Sequence, residues 1–200
     1  MDPDKDEAVV PPELPPRAID VPPEDIDIRP EETPNSLPTV LLTETDQATC
    51  LLNINDMFPA VPLSQVDGSP AQPLSQLYGP KATVIVLWSA GSSPFSAIAS
   101  RKMLIDLDED IAKDFASSGA QVIAVNVGDA QQTVQSEQQE VGAGYSFLHD
   151  PSMQLYGQVA VEGLPRVYVL NSSGAVVWFD MEYSETTREQ LLQAVRFLTQ

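Results

Sequence analysis

Ala82-Thr83-Val84-Ile85-Val86-Leu87-Trp88 is a run of seven residues with no charge, no glycine and no proline. Four of the seven are β-branched, the side chains that fit a pleated sheet best. A strand that is apolar throughout, rather than at alternate positions, is buried on both faces, as strands in parallel sheets are. The run is therefore expected at the centre of a sheet. On its N-terminal side, residues 74–78 read as one helical turn closed by Gly79-Pro80. Before that turn, the stretches 61–63 and 71–74 flank Asp67-Gly68, a hairpin signal. Cys50-Leu51-Leu52-Asn53-Ile54 reads as a further short strand.

On the C-terminal side, residues 94–118 read as a long helix. Ile98, Leu104, Leu107, Ile111 and Phe115 form its expected apolar stripe, and Asp106, Asp108, Glu109, Asp110 and Lys113 its wet face. Residues 121–127 follow as a second buried strand, 130–141 as a Gln-rich helix, 145–148 as a short strand and 153–156 as a helical turn. The segments 166–170 and 175–179 form a hairpin across Asn171-Ser172-Ser173-Gly174. A last helix starts near Thr186, where Thr186-Thr187-Arg188-Glu189 fits a capping box, and carries Leu191, Leu192, Val195 and Leu198. The expectation is an α/β fold. Its central mixed sheet has four or five strands, with the helices 94–118 and 186–199 packed on it.

The first 45 residues differ in texture. Ten of the 18 prolines fall within the first 38 residues, and the first aromatic is Phe58. Residues 1–46 hold 13 acidic and 3 basic side chains, a net of −10, and the remaining residues carry −9. Such a segment buries too little apolar area to offset the entropy of ordering it. Residues 1–45 are read as a disordered acidic, proline-rich tail, with Val9-Val10 and Ile26-Asp27-Ile28 as short apolar anchors, and 46–200 as one folded domain. The formal charge of −19 disfavours nucleic acid, whose phosphates it repels, and anionic membrane surfaces. No apolar run is long enough to span a membrane. The acidic start Met1-Asp2-Pro3-Asp4 has no apolar core behind it, so a cytoplasmic location is expected.

Candidate chemistry is sparse. Cys50 is the only cysteine and His149 the only histidine, which excludes an intrachain disulfide and a multi-cysteine metal site. Serine hydrolysis would need a histidine base, and His149-Asp150-Pro151 reads as a turn at a strand end. The acidic cluster at 106–110 lies on a helix and lacks the turn of a calcium loop. No metal and no cofactor are expected. Cys50, among Thr49, Leu51 and Leu52, reads as a small buried hydrophobe.

This order of elements resembles the thioredoxin-like superfamily. Within it, the chain is similar to the redoxins: thiol–disulfide oxidoreductases of the cytochrome-maturation type and the alkyl hydroperoxide reductase/thiol-specific antioxidant (peroxiredoxin) group. Asn55-Asp56-Met57-Phe58-Pro59-Ala60-Val61 is similar to the family's opening G-D-x-x-P-x-F, and Asp67-Gly68 with Leu74-Ser75-Gln76-Leu77-Tyr78-Gly79 to the stretch before its first core strand. Leu87-Trp88-Ser89-Ala90 stands where the family has F-W-A-x-W-C-x-x-C, and Glu162-Gly163-Leu164-Pro165 where it has a cis-proline. On that alignment the C-x-x-C positions fall on Ser92-Ser93-Pro94-Phe95; on a peroxiredoxin alignment the peroxidatic cysteine becomes Ser96. Redoxin chemistry needs a thiolate, and a serine hydroxyl neither ionises near neutrality nor forms a disulfide. Ser92, Ser93 and Ser96 are read as polar caps for the helix beginning near Pro94. Trp88, beside the altered motif, and Trp178-Phe179 read as core or core-edge.

The resemblance then implies a redoxin fold without its catalytic thiols. Its expected use is non-catalytic: a cleft formed by Trp88, the Ser92–Phe95 turn, Leu164 and Pro165 that binds a protein or an extended peptide. Two alternatives stay open: a thiol-dependent antioxidant or oxidoreductase, in line with the family, and an interaction protein driven by its tail.

Overall fold

A computed structural model describes residues 36–91 and 93–200. The disorder expected for residues 1–35, and the cap expected at Ser92, lie outside the described residues. In chain order the elements are α1 (Glu44–Ala48), β1 (Pro62–Gln65), β2 (Gln72–Pro73), β3 (Ala82–Trp88), α2 (Pro94–Leu107), α3 (Lys113–Phe115), β4 (Ala120–Val127), α4 (Gln131–Val141), β5 (Ser146–Asp150), α5 (Tyr156–Val159), β6 (Arg166–Asn171), β7 (Val176–Asp180) and α6 (Glu185–Thr199). The strands form one mixed sheet in the order β2-β1-β5-β4-β3-β6-β7.

β3 takes the interior place its composition demands. It runs parallel to β4 and antiparallel to β6, and all seven of its residues are buried. The sheet is wider than the four or five strands expected, because the hairpin of β1 and β2 joins its edge: Ser64 pairs with His149 and Gln65 with Leu148. Side-chain alternation splits the core in two. Val84, Val86 and Trp88 face Met103, Leu104 and Leu107 of α2 and Leu191, Ala194 and Val195 of α6. Ile85 and Leu87 face Leu52, Phe58, Leu63 and Leu74 from the N-terminal part and Leu155 and Val159 from around α5.

Several local expectations are corrected. Ile98 is 68% exposed; it lies six residues before Leu104, about 120° out of phase with the core stripe at 3.6 residues per turn. Met103 takes the core place instead. The helix expected over 94–118 is interrupted by a π turn at Asp108–Ala112 and ends in a 3-10 turn at Ala116–Ser118. Asp106, expected on the wet face, is buried; its Oδ2 accepts from the Tyr183 hydroxyl at 2.8 Å and Lys102 Nζ at 2.9 Å. Burial, reinforced by that bond, pushes the Tyr183 phenol well above its ordinary range. The last helix is capped by Ser184, whose Oγ accepts from Thr187 N at 3.2 Å, rather than by Thr186.

Cys50 makes one isolated bridge, to Ala160, in place of the expected strand. His149 lies inside β5, not in a turn. Residues 36–45, which composition assigns to the tail, run along the domain: Leu37, Val40 and Leu42 are half-buried against the cores, and Gln193 Nε2 donates to Ser36 O at 3.0 Å. Thr43 then caps α1 with a reciprocal box, Asp46 N to Thr43 Oγ1 and Thr43 N to Asp46 Oδ2.

The approach to β3 leaves no room for a side chain at Gly79. A Cβ there would overlap Ala82 O and stand 2.9 Å from Gln121 N and from Gly119 O, all backbone atoms. Backbone that is itself part of the β3–β4 ladder cannot give way cheaply. Gly79→Ala is expected to lower the free energy of urea unfolding by about 3 kcal/mol, whereas Gly144→Ala, which meets nothing within 4 Å, should change it by less than about 1 kcal/mol. Equal effects of the two would contradict this packing.

Candidate functional site

β3, β4 and β5 run parallel and finish at one edge of the sheet, where Trp88 stands beside Asn126 and Val127 beside Asp150. β6 starts there, with Arg166 beside Leu87, so the next register position sets Pro165 next to Trp88. The carboxyl ends of parallel strands are where α/β sheets place their ligands, because the loops that cross between layers diverge there. Four connections meet at this edge: the one that leaves β3 through 89–91 toward α2, 128–130 into α4, 151–155 into α5, and 160–165 into β6.

The first two are joined by one carboxylate. Asp129 Oδ2 accepts from Ala90 N at 2.7 Å and from Asn126 Nδ2 at 2.7 Å; its Oδ1 accepts from Ser89 Oγ at 3.1 Å. Asn126 and Ser89 are buried. The main-chain carbonyl of Asp129 is 2.8 Å from His149 Nε2; a carbonyl only accepts, so that nitrogen carries the proton. The loop before α2 thus spends the amide of Ala90 on an internal anion. The third connection is held alike: buried Asp150 accepts from the amides of Gln154, Leu155 and Tyr156 at 2.8–3.0 Å.

The fourth connection is held from behind by Arg166, which is 1% exposed. Its Nε donates to Gly163 O at 3.0 Å, its Nη2 to Thr49 Oγ1 at 2.6 Å and to Glu162 O, and its Nη1 to Cys50 Sγ at 3.4 Å. Cys50 Sγ also lies 3.2 Å from Met181 Sδ. Beside Arg166, burial pushes the Tyr168 phenol up to about 12. The guanidinium therefore ties residues 49–50 to the loop that carries Leu164 and Pro165.

The sequence-predicted site residues are distributed as follows. Ser93 is exposed at the start of α2, and its carbonyl accepts from Ala97 N at 2.9 Å. Pro94, Phe95 and Ser96 form the first turn of α2, and Phe95 is 85% exposed. The Leu164–Pro165 bond is cis, with Leu164 half-buried and Pro165 buried. Trp88, read both as core or core-edge and as part of the cleft, takes the core place: it is 1% exposed, its ring edge-on to Phe147 at 6.2 Å. Cys50 packs with the face of the sheet opposite to α2, so it does not stand in for the missing thiols at that helix. Among the described residues, no group of three or more His, Cys, Asp or Glu could hold a metal ion, and no helix is long and apolar enough to cross a membrane.

Asp129 and Arg166 went unnoticed in the sequence. Both leave a signal. Gly128-Asp129 follows a buried strand at the point where its chain must turn, and Arg166 is the one cation within an otherwise apolar strand start, directly after a proline.

The family model for the AhpC/TSA family matches residues 54–179. No curated protein matches the chain. Solved structures with a similar fold include a candidate protein disulfide isomerase of Bacteroides thetaiotaomicron (TM-score 0.67, 18% identity, covering 76% of this chain and 92% of that one). The bacterioferritin comigratory protein of Xanthomonas campestris superposes with TM-score 0.59 at 16% identity, over 76% of this chain and 99% of that one. A thiol:disulfide interchange protein of Chlorobium tepidum gives TM-score 0.56 at 19% identity, over 72% and 98%. At these identities the likeness concerns the fold.

Removing the Asp129 carboxylate leaves the buried Asn126 Nδ2 donor without this acceptor, which costs about 1–3 kcal/mol. Asp129→Ala is expected to destabilise the domain by about that amount and to speed amide exchange at Ala90 and Gly91 about tenfold or more. Unchanged exchange at Ala90 would show that the loop before α2 is held by something else.

Proposed function

This chain belongs to the AhpC/TSA family, and we propose that within it the domain acts as a non-catalytic polypeptide-binding module rather than as a thiol enzyme. The observation that carries the reading is Phe95. An aromatic ring stands 85% exposed in the first turn of α2, at the position where the resemblance places a redox cysteine. Covering such a ring is worth about 1.5–3 kcal/mol, and aromatic side chains of this kind dominate the energetics of protein interfaces. Other exposed apolar side chains rise from the same edge: Ile98 from α2, Met153 from the loop before α5, and Val161 from the loop before β6. Single exposed apolar residues need no explanation; several on the elements that converge at one end of the sheet support an interaction surface there.

The bound partner is a polypeptide that lays an apolar side chain over Phe95, beside the loop of Leu164 and Pro165. The oxidoreductase alternative finds no support at this edge. Serines and Phe95 replace the thiols there, and Cys50 is engaged with Arg166 and Met181.

The test places a photo-activatable cross-linker at Ile98 of the full chain in an extract of its own cells. With Phe95 intact, a discrete polypeptide adduct is expected; Phe95→Ser should lower its yield about tenfold, the effect of losing about 1.4 kcal/mol. No adduct, or an adduct indifferent to Phe95→Ser, would refute the reading.

A further inference from the structure

Phe95, Ile98, Lys102 and Ile105 follow one another along α2 at steps of three, four and three residues. That spacing keeps them in one line on a helix. The line lies on the side of α2 turned away from the core residues Met103, Leu104 and Leu107, and Phe95, Ile98 and Ile105 are all exposed. Along it runs a groove of about 490 Å³, lined by Ala97, Ile98, Arg101, Lys102, Ile105 and Asp106 of α2 and by Glu137 of α4. Three exposed apolar side chains in one line beside such a groove match the periodicity with which a helix docks.

The charges around the groove select what can fill it. Arg101 binds Glu137 at 3.0 and 2.5 Å and Glu140 at 2.8 Å; Lys102 binds Asp106 at 2.9 Å and Glu185 at 3.1 Å. Both cations are already matched, and Arg188, whose Nη1 is 3.9 Å from Glu185, is held by Asp110 at 2.6 Å; five carboxylates against three cations leave the rim net negative. Glu140 and Glu185 are largely exposed, their side chains 57% and 71% accessible. The anchors Val9-Val10 and Ile26-Asp27-Ile28 belong to a stretch of net charge −10, and a second copy brings −19. Both meet like charge at this rim. A positively charged occupant meets the opposite sign both at the rim and over the whole domain.

We infer that the groove along α2, flanked by Glu137 and Glu140 of α4 on one side and Glu185 of α6 on the other, receives an amphipathic helix of another protein, with aliphatic side chains seated between Ile98 and Ile105 and lysines or arginines along its edges against those carboxylates. The inference rests on the reading of the domain as a polypeptide-binding module and names the partner's chemistry.

The test uses the full chain and two synthetic helical peptides. They share leucines at i, i+3, i+4 and i+7 and differ in carrying lysine or glutamate on the remaining positions. Affinity is read from the fluorescence anisotropy of the labelled peptide, and its place from the methyl resonances of Ile98 and Ile105 in the native chain. The lysine peptide is expected to shift both. Ile98→Ser combined with Ile105→Ser, which leaves the charge unchanged, should weaken it about tenfold or more. Glu140→Gln combined with Glu185→Gln, at two exposed carboxylates, should weaken it and flatten its salt dependence. Met57→Ser, an exposed apolar site elsewhere on the domain, should leave binding as it was, and unchanged melting of each variant shows that its fold is intact. Equal binding of the glutamate peptide, shifts confined to other residues, or full affinity in the double serine variant would each overturn the inference. If those results came together with a Phe95-dependent adduct at Ile98, the helical partner would fall and the binding module would stand; absence of the adduct as well would remove both.

Discussion

The burial of β3 on both faces is the constraint from which the other features follow. A seven-residue strand with no solvent-facing side must have a layer above and a layer below. α2 and α6 supply one, and the N-terminal segment with the residues around α5 supplies the other. Parallel pairing of β3 with β4, and of β4 with β5, then obliges the chain to cross over between strands. All those crossovers leave from the same edge. The candidate site is therefore a consequence of how the core is closed, not an addition to it.

What stands at that edge is a set of loops held in place from within. Asp129 fastens the turn before α2, Asp150 the turn before α5, and Arg166 the loop before β6. Each is a charged group placed where backbone amides or carbonyls would otherwise lack partners, and hydrogen bonds to charged groups are the stronger ones. The Arg166 contacts named above run to uncharged groups, three carbonyl or hydroxyl oxygens and one sulfur. A firm frame of this kind presents the first turn of α2 with little reorganisation, which favours binding whether or not chemistry follows. On the proposed reading the frame serves an aromatic side chain in place of a thiol.

Much of this was legible in the residues. β3 could be read from its uninterrupted apolar run, β4 likewise, and the hairpin of β6 and β7 from the turn chemistry of Asn171-Ser172-Ser173-Gly174. The sequence also points to Ser93, Pro94 and Phe95 at the start of a helix, where they are found. Other features depend on contacts between distant residues, which spacing does not encode. The attachment of β1 to β5 joins residues more than eighty apart. Asp106 looks like part of a wet face until Tyr183, far along the chain, covers it. Ile98 reads as core by composition, yet its phase turns it outward. The π turn at Asp108–Ala112 shifts the helical phase without any glycine or proline to announce it. Trp88, beside the altered motif, reads equally as core and as cleft, and the alternation of β3 decides for the core.

On the proposed function, a redoxin fold is retained while its thiol chemistry is not. The direct measurement is peroxide consumption by the full chain with a dithiol donor, compared with the Cys50→Ser variant. A peroxidase cycle needs a thiolate to attack the peroxide oxygen and a second thiol to reduce the resulting sulfenic acid, and Cys50 is the chain's one sulfhydryl. The account predicts that both proteins consume peroxide no faster than the donor alone. Turnover by the native chain that Cys50→Ser abolishes would contradict it, and would make the Cys50–Arg166 pair, rather than Phe95, the working centre of the domain.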